Sequence, residues 1–136
     1  MPDKRMRDKL VRRQYVLDAG ALVALECRDR KVAALMEVAA QYRIEMVLPS
    51  AVLAQVWRDG GRQATLSKAL RNPGLAEAPL DHDDAKRVGE LLRTSGTTDV
   101  VDAHVAVLAG RLRAPVITSD PPDLAKLNED LELIPV

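Results

Sequence analysis

The chain has 136 residues, enough for one domain with a real core, and is 47% hydrophobic and 29% charged. Twenty basic residues balance twenty acidic ones, so no overall field draws in nucleic acid and such binding needs a local patch. One Trp, two Tyr and no Phe exclude a stacking platform for single-stranded bases, and the lone Cys27 excludes an intramolecular disulfide or a cysteine-rich zinc site. Residues 1–13 carry Lys4, Arg5, Arg7, Lys9, Arg12 and Arg13 and read as a flexible basic tail, with a phosphate-contacting arm as the functional alternative. This basic start followed by Tyr15 to Leu25 imitates a secretory signal. Asp18 interrupts the apolar stretch, and Glu26, Arg28 and Asp29 stand where a cleavage site should lie. No apolar run reaches the ~18 residues of a membrane span. A cytoplasmic protein is expected.

Gln14 to Asp18 reads as a short buried strand that ends on an acid and turns into the small-residue helix Ala19 to Leu25. Asp29 to Tyr42 is an amphipathic helix with Val32, Leu35, Met36 and Ala39 on one face. Ile44 to Leu48 is the second strand. Pro49 marks a turn, and Ser50 is placed to cap a helix through Val52, Leu53, Val56 and Trp57, from which Gln55 projects. Asp59-Gly60-Gly61 breaks the pattern before a short helix from Arg62 to Leu70, and Asn72-Pro73-Gly74 is a turn. Leu75 to Leu80 reads as a weaker strand. Asp81 or Asp83 starts the helix bearing Ala85, Val88, Leu91 and Leu92, which ends at Thr94-Ser95-Gly96.

Thr98 or Asp99 can cap the next helix, whose apolar face repeats through Val101, Val105, Leu108 and Ala109. Asp99 and Asp102 share a side of its first turn, where an N-cap and a dipole-favoured acid are the plain alternative. Ala114 to Thr118 is a strand running into Ser119-Asp120. The helix Pro121 to Leu127 and a strand from Leu131 to Ile134 close the chain. Strands alternating with helices predict an α/β fold in three layers around a mainly parallel sheet, residues 14–136 forming a single domain.

In that arrangement Asp18, Asp120 and Asp102 gather at one edge of the sheet, outside the carboxyl ends of its strands. Carboxylates about 4 Å apart repel by on the order of 4 kcal/mol at an effective dielectric near 20, so such a cluster calls for a cation. Oxygen ligands with retained waters suit Mg²⁺ or Mn²⁺, the ions of metal-dependent nucleases.

Four segments then resemble the PIN domain, and within it the VapC-type toxin ribonucleases of toxin–antitoxin pairs. They are Val16 to Leu25, Leu48 to Arg58, Asp99 to Ala106 and Val116 to Asp120, in family order. The resemblance implies an α/β/α fold and a divalent-metal endoribonuclease that cuts RNA with metal-activated water. It also implies a homodimer and a small antitoxin partner. Asp18, Asp102 and Asp120 match the acidic metal ligands, Thr118 matches the small hydroxyl residue two before the last acid, and Asp99 sits just outside. Gln55 stands where such relatives usually carry glutamate. An amide keeps a ligating oxygen but has no charge and cannot act as a base. A catalytically weakened or inactive PIN-like binding or scaffold protein is therefore the rival expectation.

Arg58, Arg62, Lys68 and Arg71 are candidate phosphate contacts, or an ordinary solvated face. His104 reads as a surface or packing residue pointing away from Asp102, and His82 as part of a solvated helix start.

Overall fold

A computed structural model describes residues 13–136; apart from Arg13, the basic tail lies outside them. Strand β1 (Gln14–Leu17) is apolar at Tyr15, Val16 and Leu17, all buried, and it occupies the centre of a five-stranded parallel sheet. The order is β3-β2-β1-β4-β5, with β2 (Glu45–Pro49), β3 (Leu75–Ala78), β4 (Val116–Thr118) and β5 (Leu133–Pro135). The register sets Val16 beside Val47 on one side and Val116 on the other, and Leu17 beside Ile117. The chain moves outward from β1 through β2 to β3, then returns to lay β4 on β1's other side. Between β1 and β4 the winding direction reverses, and that is where open α/β sheets form a crevice.

Among the described residues seven helices complete the α/β/α arrangement: α1 (Ala19–Glu26), α2 (Arg30–Gln41), α3 (Ser50–Val56), α4 (Ala64–Leu70), α5 (His82–Ser95), α6 (Val100–Leu112) and α7 (Pro121–Leu127). Short aspartate side chains start four of them by accepting a backbone N–H three residues on: Asp18 from Ala21, Asp29 from Val32, Asp81 from Asp84 and Asp99 from Asp102. Helix α5 stops at Gly96, whose φ of 72° is the left-handed turn that glycine adopts without strain. The core is aliphatic, built on Leu17, Leu22, Met46, Leu48, Leu66, Leu108, Ile117 and Leu124. No helix among the described residues is long and apolar enough to cross a membrane.

Several expected boundaries move for local reasons. Ser50 does not cap α3: Pro49 stays in β2 opposite Ala78, and the strand passes straight into the helix with no side-chain cap. Helix α4 begins at Ala64 rather than Arg62, because the N–H groups of Arg62 and Gln63 both turn back to the Asp59 carbonyl. Strand β3 ends at Ala78, before Pro79, which cannot donate to a ladder. Strand β4 begins at Val116, since Ala114 still donates to Ala109 at the end of α6. Asp81, not Asp83, starts α5, and Asp99, not Thr98, starts α6. Strand β5 covers Leu133–Pro135, later than the expected Leu131 to Ile134.

His104 is fully buried, and neither ring nitrogen has a hydrogen-bond partner among the described residues. Burial lowers its pKa from the ordinary 6.5, against the raising influence of Asp84 and Asp81. The neighbouring Asp84 is equally buried but satisfied, with Arg87 and Arg111 each 3.0 Å from one of its oxygens, tying α5 to α6. An unpaired buried polar group costs ~1–3 kcal/mol. His104→Leu, similar in volume, is therefore expected to stabilise the fold by about 1 kcal/mol in urea unfolding at pH 7.5; a loss of stability would show that the imidazole is partnered.

Candidate functional site

Asp18 immediately follows β1 at the point where the winding reverses, and it is only 4% exposed. Its backbone N–H donates to the Ile117 carbonyl, which sets it level with Thr118 on β4. One carboxylate oxygen accepts from the Ala21 N–H at 2.8 Å, so the plain capping role is real. The same side chain also faces the charge of Asp120. Burial raises the Asp18 pKa and the Asp120 charge adds to this, while the neighbouring Thr118 hydroxyl and the Ala21 and Gly20 N–H groups pull the other way. Capping explains where Asp18 sits. It does not explain why a second carboxylate faces it.

Thr118 is completely buried. Its hydroxyl accepts the Asp120 backbone N–H at 2.9 Å and lies close enough to Asp18 to favour that carboxylate's charged form. Asp120 occupies the position before α7, yet its side chain caps nothing. Asp102 enters from the first turn of α6 and feels the charges of both Asp99 and Asp18. Desolvation first, then Asp99 and Asp18, push its pKa up to about 6.

A further acid belongs to this group. Asp123, in the first turn of α7, is close enough to Asp120 for that neighbouring carboxyl to be the main cause raising its pKa. Asp123 also acts on Asp102. The signal in the sequence was its spacing of three from Asp120, the same spacing as Asp99 and Asp102.

Asp18, Asp99, Asp102, Asp120 and Asp123 thus form a linked run of negative charge. Among the described residues no Lys or Arg pairs with the first four, and Lys126 stands 4.0 Å from Asp123 at the rim. Among the described residues no three His, Cys, Asp or Glu side chains stand close enough together to hold a metal ion by themselves. The donors are all oxygen, open on one side and mutually repelling, a set that fits a hydrated divalent cation held through few protein ligands.

Gln55 is exposed on α3 and brings no charge. Arg58 is turned back on its own helix, its guanidinium donating to the carbonyls of Ala54 at 3.1 Å and Trp57 at 2.6 Å. Arg62 is exposed and meets only Asp59, at 3.6 Å. Lys68 and Arg71 are also exposed. His104 and His82 stand outside the acidic group.

Fold and crevice define a parallel α/β protein with an acidic site at its winding reversal. The family model for the PIN domain matches residues 15–129, and the chain belongs to that family. Among solved structures, VapBC2 from Rickettsia felis bound to a DNA fragment from their promoter is similar at a TM-score of 0.71 and 17% identity, covering 90% of this chain and 98% of that one. FitAcB from Neisseria gonorrhoeae has a TM-score of 0.61 at 17% identity, covering 88% and 96%. PAE2754 from Pyrobaculum aerophilum has 0.62 at 19%, covering 89% and 84%. No curated protein matches the chain in sequence.

Proposed function

We propose that this protein is a divalent-metal-dependent endoribonuclease, the toxin of a toxin–antitoxin pair. The observation that supports the reading is that Asp18 faces the charge of Asp120 beside Thr118, and Asp102 feels the charge of Asp18, with no Lys or Arg of the described residues paired to any of the three. Asp18, Asp102 and Asp120 would hold Mg²⁺ or Mn²⁺, with Asp99 and Asp123 beside them. Such an ion supplies an activated water and screens the charge that develops on a phosphodiester. The chain's own share is placement. Thr118 fixes Asp18 against Asp120, the Ala21 and Gly20 N–H groups hold the Asp18 carboxylate still, and α6 delivers Asp102 from the opposite side. Arg62, exposed on the loop after α3, is free to meet an RNA phosphate; Arg58 would first have to release two backbone carbonyls.

The reading also takes in a small antitoxin partner, supported by similarity in fold to VapBC2 and FitAcB, and a cytoplasmic homodimer. A second reading, a PIN-like binding or scaffold protein with little catalysis, is favoured by one residue, the uncharged Gln55.

Cleavage of mixed cellular RNA in Mg²⁺, Mn²⁺ or EDTA separates the two. Cutting is expected with either ion, to stop in EDTA and in Asp120→Asn, and to strengthen in Gln55→Glu. Cutting by Gln55→Glu alone establishes the scaffold reading. Cutting that survives in EDTA defeats the metal site.

A further inference from the structure

The first turn of α1 and the turn between β4 and α7 meet where Gly20 packs on Ser119. A Cβ at Gly20 would collide with the Ser119 hydroxyl, stand 2.8 Å from Ser119 Cβ and lie 3.4 Å from its backbone nitrogen. The hydroxyl can rotate away, but the Ser119 Cβ moves only with its main chain. Gly20 is not there for an unusual backbone, because Gly96 is the one glycine with positive φ among the described residues. What position 20 requires is the absence of a side chain. The gap between the two turns holds one side chain, and Ser119 supplies it.

Each partner touches the acidic group. Gly20 lies two residues after Asp18 and donates its N–H to that carboxylate. Ser119 is bonded on one side to Thr118, whose hydroxyl reaches Asp18, and on the other to Asp120. Any separation of the two turns therefore moves Asp120 away from Asp18. The Asp18 N–H bond to the Ile117 carbonyl and the Asp120 N–H bond to the Thr118 hydroxyl resist that movement.

We propose that Gly20 and Ser119 are positioning residues, whose close contact sets the Asp18–Asp120 spacing and thereby the affinity of the acidic group for a divalent cation. The proposal rests on the reading of that group as a cation site. It makes a compensation claim: a side chain at 20 is tolerated once the one at 119 is removed.

The test is Mn²⁺ binding to the full chain by calorimetry, for wild type, Gly20→Ala, Ser119→Gly and the paired variant. The second readout is hydrogen exchange at the Asp120 amide in metal-free protein, which reports its bond to Thr118. Gly20→Ala is expected to weaken Mn²⁺ binding by roughly 10-fold or more, the size typical of residues that orient ligands. It should also expose the Asp120 amide. The paired variant should return to within about threefold of wild type and regain protection. A Gly20→Ala protein that binds Mn²⁺ normally, or a pair no better than Gly20→Ala, overturns the proposal. If wild type binds no Mn²⁺, the cation reading fails by itself. Amide protection lost in Gly20→Ala and regained in the pair then still supports the contact, and unchanged protection overturns it.

Discussion

Asp18→Asn is expected to abolish RNA cleavage, by roughly 10³-fold or more, while raising the melting temperature of the metal-free protein. The two effects separate because the side chain has two roles. An asparagine keeps the oxygen that accepts from Ala21, so α1 retains its cap. It loses the charge, which in the metal-free fold is buried and opposed by Asp120. Melting in EDTA at pH 7.5 is the check. A lower melting temperature would mean that the carboxylate is paired with a cation of the chain.

The same repulsion gives a pH dependence with a definite sign. Asp102 has a folded pKa of about 6 against an ordinary 3.8, so the folded state binds a proton more readily than the unfolded one. Its penalty is fully present above pH 6 and is relieved as pH falls from about 6 towards 4. Asp102 is half exposed, so after discounting for solvent the gain is on the order of 1 kcal/mol. His104 opposes it. Its folded pKa is lowered below 6.5, so the unfolded state takes up the proton and stability falls over much of the same range. The carboxylate gain therefore appears cleanly in His104→Leu, and adding Asp102→Asn should flatten it.

Thr118→Val is the second large effect. The substitution keeps the shape but strips the buried oxygen that accepts the Asp120 N–H and favours the charged form of Asp18. A loss of about 2 kcal/mol in urea unfolding is expected, together with a fall in cleavage of at least roughly 10-fold. Thr118→Ser restores the hydroxyl and should recover both. If Thr118→Val cuts RNA at the wild-type rate, Thr118 does not organise the acids.

Much of this was legible in the sequence, for identifiable reasons. Apolar runs ending on Asp18 and just before Ser119-Asp120 mark strands whose carboxyl ends carry acids, and alternation with helices makes the sheet parallel. Asp102 follows because a helix that begins beside the sheet edge must bring its first turn there. Boundaries governed by a single hydrogen bond were not legible. Whether Arg62 opens α4 depends on the Asp59 carbonyl it turns back to, and whether Ser50 caps α3 depends on how far β2 stays paired. Asp123 was hidden because its partner is Asp120 rather than the backbone. The contact of Gly20 with Ser119 joins segments about a hundred residues apart, and no local pattern signals it.

That separation has a consequence during synthesis. Asp18 leaves the ribosome about a hundred residues ahead of β4, which must lie against β1 to bring Thr118 and Asp120 to it. At about 5–20 residues per second the interval is several seconds or longer. Through that time the growing chain carries Asp18 without its facing acid, so the acidic group is completed only when β4 and the residues after it have docked.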